Sequence, residues 1–569
     1  MNVYAIGLLV SLLVYFAAGN YAGRKVKHLE DYFVAGRQAP TLLIVGTLVA
    51  SLMSTNAFMG ETGQAYAGYP TIILILTAFN CVGYIAGALY FGRFLRRSRA
   101  LTLAEYFGQR FLSRRVQSIA GISIVLGCTG YLMVVTQGTA TIVHEVTGLS
   151  FHVALFAAWA GYTLFTLYSG SQGVVITDTM MFLLFTAVAF LGLSYIVQDA
   201  GGWFTTIKGL ATFEAKPGII SWHGMIGPGS DWATAGQAMT YAAILGVAWG
   251  VVVAVSPWQA SRYLMARDEH TVLRSAAITG AAVMILYTVL MFSGATINLI
   301  NPSIEPAQEN MIWAAMNVMP TLVGVLLMSG IMAAGLSSAS TFLSLVGFSV
   351  SNDLVPTTHQ DDQRQLRLSR WAMLGVSLAA LLIASLVPQG KLFWITYFVG
   401  TLYASSWGPV AFMSVWSSRI TEGAAFWGII AGLLGNIAAR LLGMFDIVEL
   451  PVYLHPIVVG ALLSYLTIEL VISGGTVSEE EHRLREKLHE TPDSEVDAVR
   501  QRATLRCARF IIALGIVFAG LMVVAYALPY QRATGTGMGG EVMLALVLGL
   551  SLVATGALAW WGARRSYCR

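Results

Sequence analysis

An ionised side chain inside hydrocarbon costs several kcal/mol unless something compensates it. The acids standing within apolar stretches are therefore the first places to look for chemistry, and three qualify: Asp178, Glu61 and Glu145. Asp178 lies in Ser171-Gln172-Gly173-Val174-Val175-Ile176-Thr177-Asp178-Thr179, about one helical turn into an apolar run that follows a Gly-rich turn. Such an acid either caps its own helix or accepts hydrogen bonds from hydroxyls elsewhere. A hydroxyl-rich partner exists in Ala333-Ala334-Gly335-Leu336-Ser337-Ser338-Ala339-Ser340-Thr341. At i and i+3 spacing Ser337 and Ser340 share one helix face, and Ser338 and Thr341 another. Small-residue helix packing is the other use of such a stretch. A dehydrated alkali cation needs several oxygens and little formal charge, which hydroxyls together with exposed carbonyls supply.

The carbonyls are expected from Val49-Ala50-Ser51-Leu52-Met53-Ser54-Thr55-Asn56-Ala57-Phe58-Met59-Gly60-Glu61-Thr62-Gly63. Ser51, Ser54, Thr55 and Asn56 cluster at its centre, and such residues offer the backbone alternatives to the helix. A transporter helix unwound at that depth presents carbonyls to an ion and half-helix ends to a solute. The run at 238–257 is also expected to bend or break, because it combines Gly246, Trp249 and Gly250 with Pro257 near its end. Glu61, beyond the polar cluster, reads as a contact for a solute amine, an outer gate, or a hydrogen-bonded acid near the interface. Glu145 and the neighbouring His144 read as interfacial.

These segments sit in a chain of 569 residues with 33 Lys+Arg against 29 Asp+Glu, 56% hydrophobic and only 11% charged, where soluble domains carry about 25% charged residues. That balance excludes a soluble enzyme, a nucleic-acid binder and a secreted disulfide scaffold. About fifteen apolar runs are long enough to cross a bilayer. With the N-terminus outside, all but five of the 33 basic residues fall on the cytoplasmic side; the five are Lys208, Lys216, Lys391, Arg440 and Arg532. The C-terminus is then cytoplasmic. Residues Met1 to Ala18 are apolar with basic residues after them rather than before, so they read as a retained helix and not a cleaved signal. Cys81, Cys128, Cys507 and Cys568 have no metal or disulfide spacing and read as free thiols. Nine scattered histidines form no catalytic cluster, so no enzyme is expected.

The expected order is a first helix and cytoplasmic loop (1–39), a five-helix repeat (40–200), an external loop (201–237), a second five-helix repeat (238–416), two further helices (417–475), a charged cytoplasmic connector (476–508), and two C-terminal helices with a basic tail (509–569). Two interrupted helices five spans apart are what an inverted repeat produces.

The sequence resembles the sodium/solute symporter family, and in its motifs the bacterial proline symporter branch, over most of residues 1–440. The resemblance is carried by Tyr162-Thr163 through Gly170, Gly173 and Thr177-Asp178-Thr179; by Ala334 to Thr341; by Trp249, Pro257 and Arg262-Tyr263-Leu264-Met265-Ala266; and by Gly408-Pro409-Val410. It implies an all-α polytopic membrane protein with a LeuT-like five-plus-five inverted repeat, one extra N-terminal helix and about four extra C-terminal ones. It further implies a principal sodium site made by the carbonyls of Ala50, Met53 and Ala334 with the hydroxyls of Ser337 and Ser338. A second sodium site would use Asp178 with Ser337, Ser340 and Thr341. Solute contacts would be Ser54, Thr55, Tyr131, Trp249 and Pro257. Two positions depart from the proline branch: Leu52 replaces an aspartate and Val253 a tyrosine.

With no Lys or Arg expected in the middle of the core spans, a single carboxylate on the solute can be held by helix ends, hydroxyls and the ion itself. A phosphate or dicarboxylate is poorly suited to such a site. The function expected is sodium-coupled import of a small polar organic solute by alternating access, an amino acid or monocarboxylate favoured over a sugar or vitamin. Sodium is the co-transported ion, and no organic cofactor, nucleic acid or obligate protein partner is inferred. Proton coupling through Asp178 is the main alternative and a membrane sensor the remote one. A bacterial inner membrane is the expected location.

Overall fold

The computed structural model describes residues 2–23, 29–355, 362–445, 447–448, 450–537 and 539–567. The loop cations Arg24, Lys25 and Lys27 and the thiol of Cys568 lie outside them. Among the described residues the chain is helical apart from turns and one isolated bridge, Ala39 to Ala266. Ten helices are long and apolar enough to cross a membrane, and a bent pair makes an eleventh. Val3–Gly19, Phe151–Leu167 and Pro456–Ile472 are shorter apolar helices, and Leu392–Trp416 occupies the remaining expected run.

Helix α1 (Val3–Gly23) leads to α2 (Thr41–Leu52), a π-helical turn (Asn56–Glu61) and α3 (Thr62–Ala67). Then come α4 (Pro70–Gly87), α5 (Arg114–Thr147) and the helical stretch α6 (Phe151–Asp199). The two arms of α6 run in opposite directions. Phe165 packs edge-on against Phe16 of α1, whereas further along Phe185 and then Gly192 approach Gly330 and Met319, so the chain reverses around 168–172. Two spans result, as the sequence suggests.

The second half opens with α7 (Ala235–Val255) and α8 (Pro257–Met265), followed by α9 (Glu269–Ile297), α10 (Thr321–Phe348), α11 (Asp362–Leu386) and α12 (Leu392–Trp416). Beyond it lie α13 (Glu422–Met444), α14 (Pro456–Ile472), α15 (Glu479–His489), α16 (Ala498–Met522) and α17 (Gly540–Ser566). Leu434, Leu470 and Phe510 on these outer helices are exposed, which suits contact with lipid.

Both expected interruptions are present. Between α2 and α3 the axis bends by 57°. Met53 leaves helical geometry (φ −78°, ψ 77°) and the Ser54 hydroxyl accepts from the Asn56 N–H at 3.1 Å, a local bond that competes with the helix. At the second break Ser256 is extended (φ −62°, ψ 147°), and Pro257, lacking an N–H, starts α8 at a position where none is needed. Here the sequence reading is corrected. The span does not end at Pro257: all of Pro257–Met265 is buried, so Arg262, one of the basic residues assigned above to the cytoplasmic side, lies inside the bundle.

The charged connector is structured too. Ser478 and Glu481 form a capping box at the start of α15. Glu495 pairs with Arg96 at 3.2 Å and accepts from the Glu269 N–H, while Arg97 bonds both Glu269 and the Leu488 carbonyl. It clasps the ends of the first and second halves rather than merely linking spans.

Candidate functional site

At the first break two carbonyls lose their helical partners. In a continuous helix the Ala50 oxygen accepts from Ser54 N–H, and that of Met53 from Ala57 N–H. Instead Ser54 N–H donates to Leu52 (2.9 Å) and Ala57 N–H to Ser54 (3.1 Å). The break is pressed against α10 at Gly335, where a Cβ would lie 2.8 Å from Thr55 Cγ2 and 2.7 Å from Thr139 Oγ1. Beside Gly335, the Ser338 hydroxyl is buried and has no hydrogen-bond partner.

Asp178 faces the same helix. Ser337 donates to its Oδ1 and Thr47 to its Oδ2, both at 2.6 Å. Thr47 reaches it because Gly46 brings α2 onto α6: a Cβ there would meet the Thr179 Cα at 2.7 Å. The hydroxyl of Ser340 turns back to the Ser337 carbonyl at 2.9 Å. Arg262, absent from the sequence candidates, bonds Thr341 and stands 3.8 Å from Asp178 Oδ2 with its side chain buried. The one signal for it was an arginine shortly after a helix-breaking proline, which a half-helix would carry into the bundle.

Tyr131, Trp249 and Glu61 form a second group. Trp249 packs on Tyr397 with ring centroids 4.7 Å apart, and its indole Nε1 has no partner. Tyr397 donates to Glu61 Oε1 at 3.0 Å, and the hydroxyl of Tyr287 approaches the same carboxylate. Tyr131 stacks on Phe342 (4.3 Å) and neighbours both Ser54 and Glu61. Tyr287 and Tyr397 were not anticipated, because nothing in their local sequence marks them. Thr55 packs on Gly138 and Gly335, turned from this group. Pro257 borders a narrow crevice with Ser261, Arg262 and Thr341 instead. Glu145 sits partly exposed at the end of α5, 3.8 Å from His144.

Two helices broken at matching places, with polar groups gathered where they break, define a secondary active transporter of the LeuT-like fold. Residues 32–432 match the sodium:solute symporter family, and the chain belongs to it. Curated relatives include the sodium/pantothenate symporter of Escherichia coli, 26% identical over 81% of this chain and 94% of that protein. The sodium/proline symporter of the same organism is 24% identical over 78% and 89%. Among solved structures, a Na+-coupled sialic acid symporter in a substrate-bound outward-open state aligns over 84% of this chain and 99% of that one (TM-score 0.69, 18% identity). The nucleobase-cation-symport-1 family transporter Mhp1, in a closed conformation, aligns over 80% and 98% (TM-score 0.51, 13% identity). The chain is thus an integral membrane symporter coupled to sodium, with a small solute as its substrate, and not an enzyme.

Proposed function

We propose that sodium binds between the first broken helix and α10, held by the carbonyls of Ala50, Met53 and Ala334 and the hydroxyls of Ser337 and Ser338, and that the solute sits beside Ser54, Tyr131 and Trp249. The observation that carries this reading is the pairing of two carbonyls freed at the break with the unpartnered Ser338 hydroxyl on the opposing helix. An ion bridging two helices that move relative to one another favours the state in which its oxygens converge, which is how its binding shifts the equilibrium. Thr55 and Pro257 are the outer members of the solute set.

Arg262 bears on stoichiometry. A guanidinium already partners Asp178 and Thr341, two members of the second sodium site, so that site opens only when Arg262 withdraws. One sodium per cycle is the reading this favours. Proton coupling at Asp178 is disfavoured on the same ground.

The solute is a small polar organic molecule, an amino acid or monocarboxylate in preference to a sugar or vitamin. The relatives are named for proline, an amino acid, and for pantothenate, a monocarboxylate that is also a vitamin. In this reading the N-terminus is outside, the C-terminus cytoplasmic, the membrane a bacterial inner membrane, and 40–200 and 238–416 are the two repeats.

The test is uptake into proteoliposomes of a labelled panel of amino acids, monocarboxylates, sugars and vitamins. An inward sodium gradient is imposed at fixed pH and the assay repeated with Ser337→Ala and Asp178→Ala. Accumulation driven by sodium, with a Hill coefficient near one and lost in Ser337→Ala, is expected. Accumulation driven by a proton gradient and indifferent to sodium overturns the reading.

A further inference from the structure

Glu61 is 4% exposed, deep in the bundle, and carries no ion pair with any described Lys, Arg or His. One oxygen accepts from Tyr397; the other, Oε2, has no partner. Hydroxyl donors stabilise a carboxylate but do not discharge it, so a buried acid in this state lacks its counter-charge. The walls around it are aromatic. Tyr131, Tyr287 and Tyr397 neighbour it; Trp249 packs on Tyr397, and Phe393 lies 4.2 Å from the same ring. A carboxylate without a cation among tyrosine and tryptophan side chains is the chemistry that holds an ammonium or alkylammonium group, the charge supplied by the acid and the ring quadrupoles by its neighbours. A proton would neutralise Glu61 equally well but needs no such neighbours.

We propose that Glu61 is the seat of a positively charged nitrogen on the transported solute, so that this carrier takes small zwitterions or organic cations and rejects solutes of the same shape without that nitrogen. The proposal rests on the reading of the residues around Ser54, Tyr131 and Trp249 as the solute site. The unpartnered Trp249 Nε1 remains for an acceptor at the rest of the molecule.

The full chain in proteoliposomes is tested with matched pairs that differ in the nitrogen: choline against 3,3-dimethylbutanol, glycine betaine against 3,3-dimethylbutanoate, and proline against cyclopentanecarboxylate. Sodium-driven uptake or its competition is read for each, and 22Na binding is measured separately without solute. At least one nitrogen-bearing member is expected to be taken at least tenfold better than its partner. Glu61→Gln should weaken that preference at least tenfold while 22Na binding persists, which also shows the variant to be folded; Glu61→Asp should retain part of it. Equal handling of the pairs, preference for the members without nitrogen, recognition of none of the six, or full preference in Glu61→Gln each overturns the proposal. Loss of 22Na binding by the unaltered chain overturns the sodium site instead, so the two failures are distinguishable.

Discussion

Asp178 and Glu61 are both buried carboxylates in the first repeat, each with an oxygen held by a hydroxyl donor from the second. Their surroundings then diverge. Asp178 has two hydroxyl donors and a guanidinium at 3.8 Å, so the protein supplies its counter-charge from within. Glu61 has the hydroxyl of Tyr397, that of Tyr287 nearby, aromatic neighbours, and no ion pair with a described cation. A paired buried charge is a structural or gating device whose loss unbalances the fold, whereas an unpaired one is tolerated where a visiting ligand completes it. The contrast therefore sets a carboxylate balanced from within the protein against one that no described cation balances.

The largest expected effect lies on the paired side. Arg262→Met strands Asp178 without its counter-ion and is expected to cost about 3–5 kcal/mol, with transport lost. The double variant Asp178→Asn with Arg262→Met removes both charges and should recover most of the thermal stability. A double variant no more stable than Arg262→Met alone breaks the comparison, since Arg262 would then act independently of Asp178.

Removing one hydroxyl from the proposed ion site is smaller. Ser338→Ala should weaken sodium binding by about tenfold, on the order of 1.4 kcal/mol, with little change in thermal stability in sodium-free buffer, because Ser338 makes no hydrogen bond to lose. Sodium titration of uptake checks it. Smaller again is Tyr397→Phe, which deletes the hydroxyl donated to Glu61. A hydrogen bond to a charged group is worth about 1.5–3 kcal/mol, much of which the bound solute offsets here. The expected result is a several-fold higher KM for solute with sodium dependence unchanged; altered sodium affinity instead would merge the two regions.

How far these regions were legible in the sequence follows from what sequence encodes. The break near Ser54 was readable because it is made locally, by residues that bond their own backbone. The meeting of Asp178 with Ser337 was anticipated because both are polar in apolar surroundings. Arg262 was misplaced for a reason of scale: Pro257 ended the apolar run, and a buried half-helix beyond it has the composition of a loop. Glu61 stood out as an acid, but its partners are Tyr397, 336 residues away, and Tyr287 on α9. Depth along a helix can be counted, whereas the direction a side chain faces is set by which helices pack around it.

A third acid sharpens the contrast from outside the spans. Glu309, in the short turn Ala307–Glu309, is half-buried and faces Glu145, and these together raise its pKa to about 7, with His144 opposing. It has neither the internal cation of Asp178 nor the aromatic neighbours of Glu61, so it should behave as a plain cost of burying charge. Because the folded state holds the proton more tightly than the unfolded one, this group's contribution to stability is fully present below about 4.5 and lost as pH rises through about 7. Glu309→Gln mimics the protonated form. Its melting temperature should match the unaltered protein at pH 4.5 and exceed it by a margin that grows to a plateau above pH 7, as measured by thermal unfolding in detergent. A margin independent of pH would mean that Glu309 keeps its proton throughout, and a deficit above pH 7 would mean that its charge is paired after all.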